Sequence, residues 1–317
     1  MKIGTIASHS ALNIISGARA EGFETVLFCT PERVPLYESF GLHGSIVVVD
    51  KYDDILEMDL SDMLVIPHGS FVSYLGSERI ISSRMRVFGS KELLRWEEDR
   101  VLKSRLIAES GLLAPKEFAS IEEASGPVIV KTSGAAGGEG YYVAKDSKEL
   151  RSRLDPTKKS TIQEYIVGTK VYVTYFNSLA RNRTEVFGAD IRYETDADAN
   201  IRFDQDPSFV VVGNLPLVLR ESMLVTYFEM GQSFVKAFHR LTNQRLPGPF
   251  CLETVVDRQR KVFTFEFSGR IVAGTNVWIP YSPYSYLQFE EPMWMGRRIA
   301  REIKELADQD RLSDAVQ

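Results

Sequence analysis

The segment from Cys251 to Arg270 constrains this chain most, because it sets two acidic side chains into strands that are otherwise apolar. Cys251–Val256 and Val262–Phe267 read as two β-strands joined by a polar turn at Asp257–Arg260. A symmetric, even turn pairs residues whose numbers sum to 517. Glu253 then lies opposite Thr264, and Glu266 projects from the same face one diagonal away, within about 7–8 Å at the backbone. An odd-length turn moves one glutamate to the other face. The expected core face carries Leu252, Thr254, Val256, Phe263, Phe265 and Phe267. Either both carboxylates face solvent on a half-exposed sheet, or a cation compensates them, since an uncompensated buried charge is costly. Mg²⁺ carrying a nucleotide is the cation that fits, because it binds one or two carboxylates together with phosphate oxygens.

The chain has 317 residues, of which 44% are hydrophobic and 26% charged, enough to build two or three packed units. A net charge of -5 argues against a general nucleic-acid binder. Cys29 and Cys251 sit far apart in apolar strand patterns and read as buried thiols, not as a disulfide framework or metal cluster. Lys2-Ile-Gly-Thr-Ile runs straight into a strand with no signal pattern, and no apolar run approaches the ~20 residues of a membrane helix. These features point to the cytoplasm.

Ile3–Ala7, a helical stretch Ala11–Glu21 and a strand Glu24–Cys29 form a parallel β-α-β unit, to which Ile46–Val49 and Met63–Ile66 add strands. Residues 1–90 are expected to form an N-terminal α/β domain and 91–317 a second region, with a lid at about 120–180. In that region, Lys91–Ser110 reads as one helix stopped by Gly111 and Pro115, and Glu221–Leu241 as a strongly amphipathic helix. Residues 195–208 form a polar excursion, a last helix runs from about Met293 to Ala307, and Asp308–Gln317 reads as a frayed tail.

Val128-Ile-Val-Lys131 leads into Thr-Ser-Gly-Ala-Ala-Gly-Gly-Glu-Gly140 and then Tyr141–Ala144, which places a glycine flap between two strands. Backbone N–H groups at Gly137 and Gly138 can close over phosphate oxygens, and Lys131 supplies positive charge. Neither a Walker loop nor a dinucleotide fingerprint is present.

Taken in order, Asp99-Arg100, Val128–Lys131, the glycine flap, Gln163-Glu164, Glu253 and Glu266-Phe-Ser-Gly-Arg270 resemble the ATP-grasp superfamily from about residue 90 to 300. The resemblance implies an α/β (α+β) ATP-grasp fold preceded by a parallel α/β domain. It implies that Arg100, Lys131, Gly137, Gly138, Gln163 and Glu164 bind ATP, with Gln163-Glu164 at the adenine hinge; the narrower family resemblance of the longer strings adds Glu194, in Arg192-Tyr-Glu. It also implies that Glu253 and Glu266 hold Mg²⁺ (or Mn²⁺) and that Arg270 and Lys131 are catalytic. Ser268 stands where an asparagine is usual in that superfamily.

Longer strings narrow the resemblance. Ser8-His-Ser10, Pro67-His-Gly-Ser70, Leu94-Arg-Trp-Glu97, Val210-Val-Val-Gly-Asn214, Gly248-Pro-Phe-Cys-Leu-Glu253, Arg270-Ile-Val-Ala-Gly-Thr-Asn276 and Ser282-Pro-Tyr-Ser285 are similar to the archaeal 5-formaminoimidazole-4-carboxamide ribonucleotide (FAICAR) synthetase family. That likeness implies ATP- and formate-dependent formylation of aminoimidazole carboxamide ribonucleotide (AICAR) in purine synthesis. It implies AICAR contacts from His9, Ser10, Ser70 and Asn214, and a homo-oligomer, with a hexamer as the candidate form; charge and the lack of a long apolar run leave neither nucleic acid nor membrane as an expected partner. Read without the family, Ser10 is a helix cap, Asn214 a turn former and Glu194 a solvated strand-end charge. Ala135, Ala136 and Glu139 depart from the basic flap of the family. They keep open a paralogue using another carboxylate, or one that binds nucleotide without turnover.

Overall fold

The computed structural model describes residues 1–42, 44–132, 141–155, 157–158, 160–195 and 208–317. It holds three sheets. The first contains β1 (Lys2–Ile6), β2 (Thr25–Cys29), β3 (Ser45–Val48) and β4 (Met63–Val65) in the order β3-β2-β1-β4, all parallel. Its strands are short apolar runs, and the helix Ala11–Ala20 crosses from β1 to β2 as a right-twisted β-α-β connection requires.

The second sheet is small: β5 (Glu117–Phe118), β6 (Val128–Thr132), β7 (Tyr142–Ala144) and β8 (Ser160–Glu164), in the order β5-β8-β6-β7. The third is long and antiparallel: β9 (Thr169–Ser178), β10 (Arg183–Glu194), β11 (Val211–Pro216), β12 (Gly248–Val256) and β13 (Val262–Ser268), in the order β11-β10-β9-β12-β13.

One face of the long sheet is apolar. Val173, Tyr175, Ala189, Phe250, Leu252 and Phe267 pack there against Tyr227, Phe234 and Phe238 of the helix Glu221–Thr242. Toward its other end, Phe176 and Phe187 join a second core with Ile299 and Ile303 of the helix Met295–Asp308, Ile3 and Leu64 of the parallel sheet and Ile14 of the helix Ala11–Ala20. That core fastens the first sheet to the third. Within it Arg298, fully buried, is paired with Glu185 at 2.9 Å and Glu302 at 3.0 Å. Among the described residues no helix is long and apolar enough to cross a membrane.

Three expectations from the sequence change. The helix expected over Lys91–Ser110 is two helices, Lys91–Glu98 and Arg100–Glu109. Asp99 adopts an extended conformation between them and caps the second, accepting from the N–H groups of Val101 and Leu102. A short acid that bonds nearby backbone N–H groups competes with helix continuation. The tail is not frayed: Leu312–Ala315 forms a 3₁₀ turn, Val316 bridges Phe88, and Val87 and Gln317 exchange backbone hydrogen bonds. Asn214 lies within β11, not in a turn after a strand. Of the polar excursion, residues 196–207 lie outside the described residues.

Candidate active site

The hairpin register differs from the symmetric one in an instructive way. The connection between Val256 and Val262 is odd, and Val256 pairs with Val262 and Thr254 with Thr264. Continued unchanged, that register would separate the two glutamates onto opposite faces. A β-bulge between Glu253 and Thr254 shifts it by one, so that Glu253 pairs directly with Glu266. Phe265 is the extra residue. Phe263 and Phe265 therefore leave the expected core face, and Phe265 packs beside Tyr172 on the carboxylate side.

Cross-strand partners share a face. Following them across the sheet gives one row: Asp190 pairs with Tyr172, Tyr172 with Glu253, and Glu253 with Glu266. Arg192 and Asn214, paired with each other, continue the same face.

Both glutamates are held by cations through one oxygen. Arg192 Nη2 donates to Glu253 Oε1 at 2.9 Å, and Ser268 Oγ donates to the same oxygen at 3.1 Å. Lys103 Nζ donates to Glu266 Oε1 at 2.5 Å. Burial pushes the Glu266 carboxyl up, but Lys103 and Lys131 outweigh it and hold the group below the usual carboxylate range. Burial lowers Lys131, against the opposing pull of Glu266, and its ammonium lies 5.6 Å from the Phe265 ring centroid. Oε2 of each glutamate has no hydrogen-bond donor among the described residues. Two facing carboxylates, each with one oxygen uncommitted, fit a hard divalent ion that takes its other ligands from phosphate and water. Among the described residues no group of three or more metal-binding side chains occurs, so protein alone does not complete such a shell.

Arg270 turns toward the parallel sheet. Its guanidinium pairs with Glu97 at 2.7 Å, and Glu97 also accepts the Gly269 N–H at 2.8 Å. His68 follows, bridging Ile271. It is fully buried, with Nε2 2.9 Å from the Ile6 carbonyl and Nδ1 accepting from Ser70 N–H at 3.3 Å. These partners fix a neutral ring. His9 has φ 51° and stacks on His68 at 5.8 Å. A Cβ at residue 69 would lie 2.2 Å from His9 Nε2, so only glycine permits this packing. The protein around His9, and then Arg270, lower its pKa. Ser10 does not cap the following helix; its buried hydroxyl meets His9 Nδ1 at 3.0 Å. Ser70 Oγ lies 3.2 Å from Ser8 Oγ, and Ser8 reaches Tyr74 OH at 3.5 Å. Arg33 donates to Tyr74 OH at 3.4 Å and to the Ala7 carbonyl at 2.8 Å.

Of the remaining candidates, Gln163 and Glu164 belong to the small sheet, Arg100 bonds to it, and Glu194 ends β10 of the long sheet. Arg100 donates to Thr161 Oγ1 at 2.9 Å and to the Lys131 carbonyl at 3.4 Å. Gln163 is buried in β8, and the Glu164 carboxylate accepts the Lys116 N–H at 3.2 Å. Glu194 pairs with Lys170, whose ammonium lies 4.6 Å from the Phe209 ring centroid. Gly137, Gly138, Ala135, Ala136 and Glu139 lie outside the described residues.

Residues that the sequence reading did not single out complete the arrangement: Lys103, Arg192, Glu97, Arg33 and Tyr74. Lys103 is one helical turn beyond Arg100, and that spacing puts both on one face. Arg192 is two residues before Glu194 on the same strand, a spacing that likewise shares a face.

Two family models match the chain. Residues 3–118 match one described as a protein of unknown function (DUF1246), and residues 147–317 one described as a domain of unknown function (DUF1297). A protein of Ignicoccus hospitalis named 5-formaminoimidazole-4-carboxamide-1-(beta)-D-ribofuranosyl 5'-monophosphate synthetase is 42% identical, over 100% of this chain and 96% of its own. Among solved structures, an IMP biosynthesis protein PurP from Thermococcus kodakaraensis is 32% identical, with TM-score 0.85 over 99% of this chain and 100% of that one. An N5-carboxyaminoimidazole synthetase from Staphylococcus aureus, complexed with ADP, is 14% identical with TM-score 0.66, over 86% of this chain and 71% of that one. The fold is ATP-grasp, with mixed α/β architecture. Full-length identity at this level makes the chain a member of the 5-formaminoimidazole-4-carboxamide-1-(beta)-D-ribofuranosyl 5'-monophosphate synthetase family.

Proposed function

We propose that this protein is an ATP-dependent carbon–nitrogen ligase that formylates AICAR with formate, giving FAICAR, ADP and phosphate in purine biosynthesis. The observation that carries the reading is the direct pairing of Glu253 with Glu266, with Lys131 acting on Glu266, in a chain matched end to end by relatives of that name.

Formate is an unreactive anion and the acceptor amine a weak nucleophile. A formate oxygen first takes the γ-phosphoryl group: a P–O bond forms and ADP leaves with the electrons of the broken one. The amine nitrogen then bonds to the formyl carbon, the bond from that carbon to phosphate oxygen breaks, and one amine proton departs with the phosphate. Lys131, Lys103 and Arg270 stabilise charge that spreads over the transferring oxygens. Glu253 and Glu266 would hold Mg²⁺ or Mn²⁺, which supplies charge neutralisation at the triphosphate when bound. Arg100, Gln163, Glu164, Glu194 and the flap glycines Gly137 and Gly138 bind ATP. His9, Ser10, Ser70 and Asn214 bind the acceptor, with Ser10 acting through His9.

In this reading residues 1–90 form the acceptor domain and 91–317 the ATP-grasp region. About 120–180 closes as a lid that keeps water from the acyl phosphate. The enzyme is cytoplasmic and a homo-oligomer. Its partners are small molecules. The test is ADP release with Mg-ATP, formate and AICAR, omitting each in turn. Release that needs all three is expected. ADP formation without AICAR, or with another carboxylate in place of formate, would favour a paralogue of different specificity, as Ala135, Ala136 and Glu139 allow. Binding of ATP without any ADP release would remove the ligase reading.

A further inference from the structure

Asp190 is unlike the other buried acids of the molecule. It is 1% exposed. Glu185 and Glu302, equally buried, are held by Arg298, and Glu253 is held by Arg192. Among the described residues Asp190 has one hydrogen-bond donor, the neutral side-chain amide of Asn214, with Nδ2 2.8 Å from Oδ2. Its other oxygen faces the backbone at Gly274, where an added Cβ would lie 2.1 Å from Oδ1. Burial lifts its pKa to about 6, with Asn214 and Arg192 pulling the other way and Glu253 adding to the rise. A buried strand position is ordinarily apolar, so an acid with a single neutral partner is an expensive choice for packing alone.

Its chemistry dictates the orientation of its neighbour. A carboxylate accepts hydrogen bonds and never donates them. The NH₂ end of Asn214 is therefore committed to Asp190, and the carbonyl oxygen Oδ1 is directed elsewhere, with no donor among the described residues. Asn214 pairs with Arg192, whose guanidinium holds Glu253, so the amide sits on the carboxylate face of the sheet.

We propose that Asp190 is a positioning residue: it makes Asn214 offer a carbonyl oxygen, and not an amide N–H, to the acceptor amine. This rests on the ligase reading above. The nitrogen must spend its lone pair on the formyl carbon as the phosphate leaves. A carbonyl that accepts one amine N–H leaves that lone pair free, and its hold tightens as the nitrogen becomes positive. An amide turned the other way would donate into the lone pair and suppress the attack.

The test compares wild type with Asp190→Asn, Asn214→Ala and the double variant, reading the acceptor and ATP KM values and the ADP released per FAICAR formed. In Asp190→Asn the acceptor KM is expected to rise about tenfold, the scale of one hydrogen bond, with the ATP KM unchanged. The ADP-to-product ratio is expected to rise from near one to about two or more, because acyl phosphate left waiting is hydrolysed. The double variant is expected to be no worse than Asn214→Ala, as for residues acting in series. A structural defect would instead lower ADP and product together. Unchanged ratio and acceptor KM in Asp190→Asn, or additive losses in the double variant, overturn the inference. Should Asp190→Asn fail to fold in a thermal melt, Asp190→Ser is read by the same outcomes. A wild type whose ADP release ignores AICAR favours a paralogue of different specificity, and one that binds ATP without releasing ADP removes the ligase reading; either result takes this inference with it.

Discussion

The long antiparallel sheet and the small four-stranded sheet carry neighbouring parts of the candidate site on very different foundations. The long one is buried by Tyr227, Phe234 and Phe238 on one side and tied by Phe176 and Phe187 to the core of the parallel sheet. Among the described residues the small one rests on a cluster of Phe118, Val128, Val130, Ala144, Leu150 and Ile162, with a few half-buried neighbours. Local opening free energy follows the amount of apolar contact that must be broken. The sheet bearing the glutamates therefore has more apolar contact to break on opening, and the sheet bearing Lys131 has less.

Four measurements would break or sharpen that contrast. The largest effect is expected from Glu266→Gln, with turnover falling by about a thousandfold, the scale seen when a preorganised charge is removed. AICAR affinity by calorimetry should stay nearly intact. Equal loss of both would mean that the metal and acceptor sites are not separate.

Next come two truncations of similar chemistry. Phe234→Ala should lower global stability in denaturant by about 3–5 kcal/mol, and Leu150→Ala removes about 2–5 kcal/mol from its own cluster. The second is expected to weaken amide-exchange protection over residues 118–164 and barely move the global midpoint. If both variants shift that midpoint alike, the two sheets unfold as one unit and the contrast fails.

Glu97→Gln weakens the ion pair that holds Arg270. A charge-assisted bond of about 2 kcal/mol corresponds to roughly a thirtyfold fall in kcat. An unchanged kcat would mean that Arg270 needs no support from the helix Lys91–Glu98.

The smallest effect concerns pH and stability. The folded pKa of Asp190, about 6, lies above the ordinary carboxylate value. The native state therefore holds this proton more tightly than the unfolded chain. That contribution is complete below about pH 4 and is lost as pH rises through about 6. Asp190→Asn should stabilise the fold relative to wild type by about 1.4 kcal/mol more at pH 8 than at pH 5, measured by denaturant unfolding at the two pH values. Equal shifts at both pH values would show that the acid is adequately solvated.

Much of this was legible in the sequence, for reasons that differ from element to element. Glu253 and Glu266 declare themselves because the period of a strand is two and both interrupt apolar runs. Their register does not, since a bulge is made by the backbone and leaves no residue signature here. Phe263 and Phe265 were misassigned to the core for the same cause. Asp99 carried a cap signal inside a helical pattern, yet hydrophobic periodicity continued across it and hid the break. The docking of Val316 beside Phe88 is a contact between segments far apart in the chain, which no local pattern encodes. Lys103 and Arg192 were overlooked because their partners are fixed only by the fold. Once the helix Arg100–Glu109 lies beside β13, Lys103 can reach nothing better than Glu266.

The bulge beside Glu253 also has a consequence for protein engineering. Cross-strand partners share a face whatever the length of the loop between them, so a one-residue deletion in the connection that keeps Val256 opposite Val262 should leave Glu253 opposite Glu266, and a deletion of Phe265 should remove the bulge and keep the two glutamates paired. The spacing of the two carboxylates can thus be kept while the loop varies, provided the pair at the mouth of the hairpin is preserved.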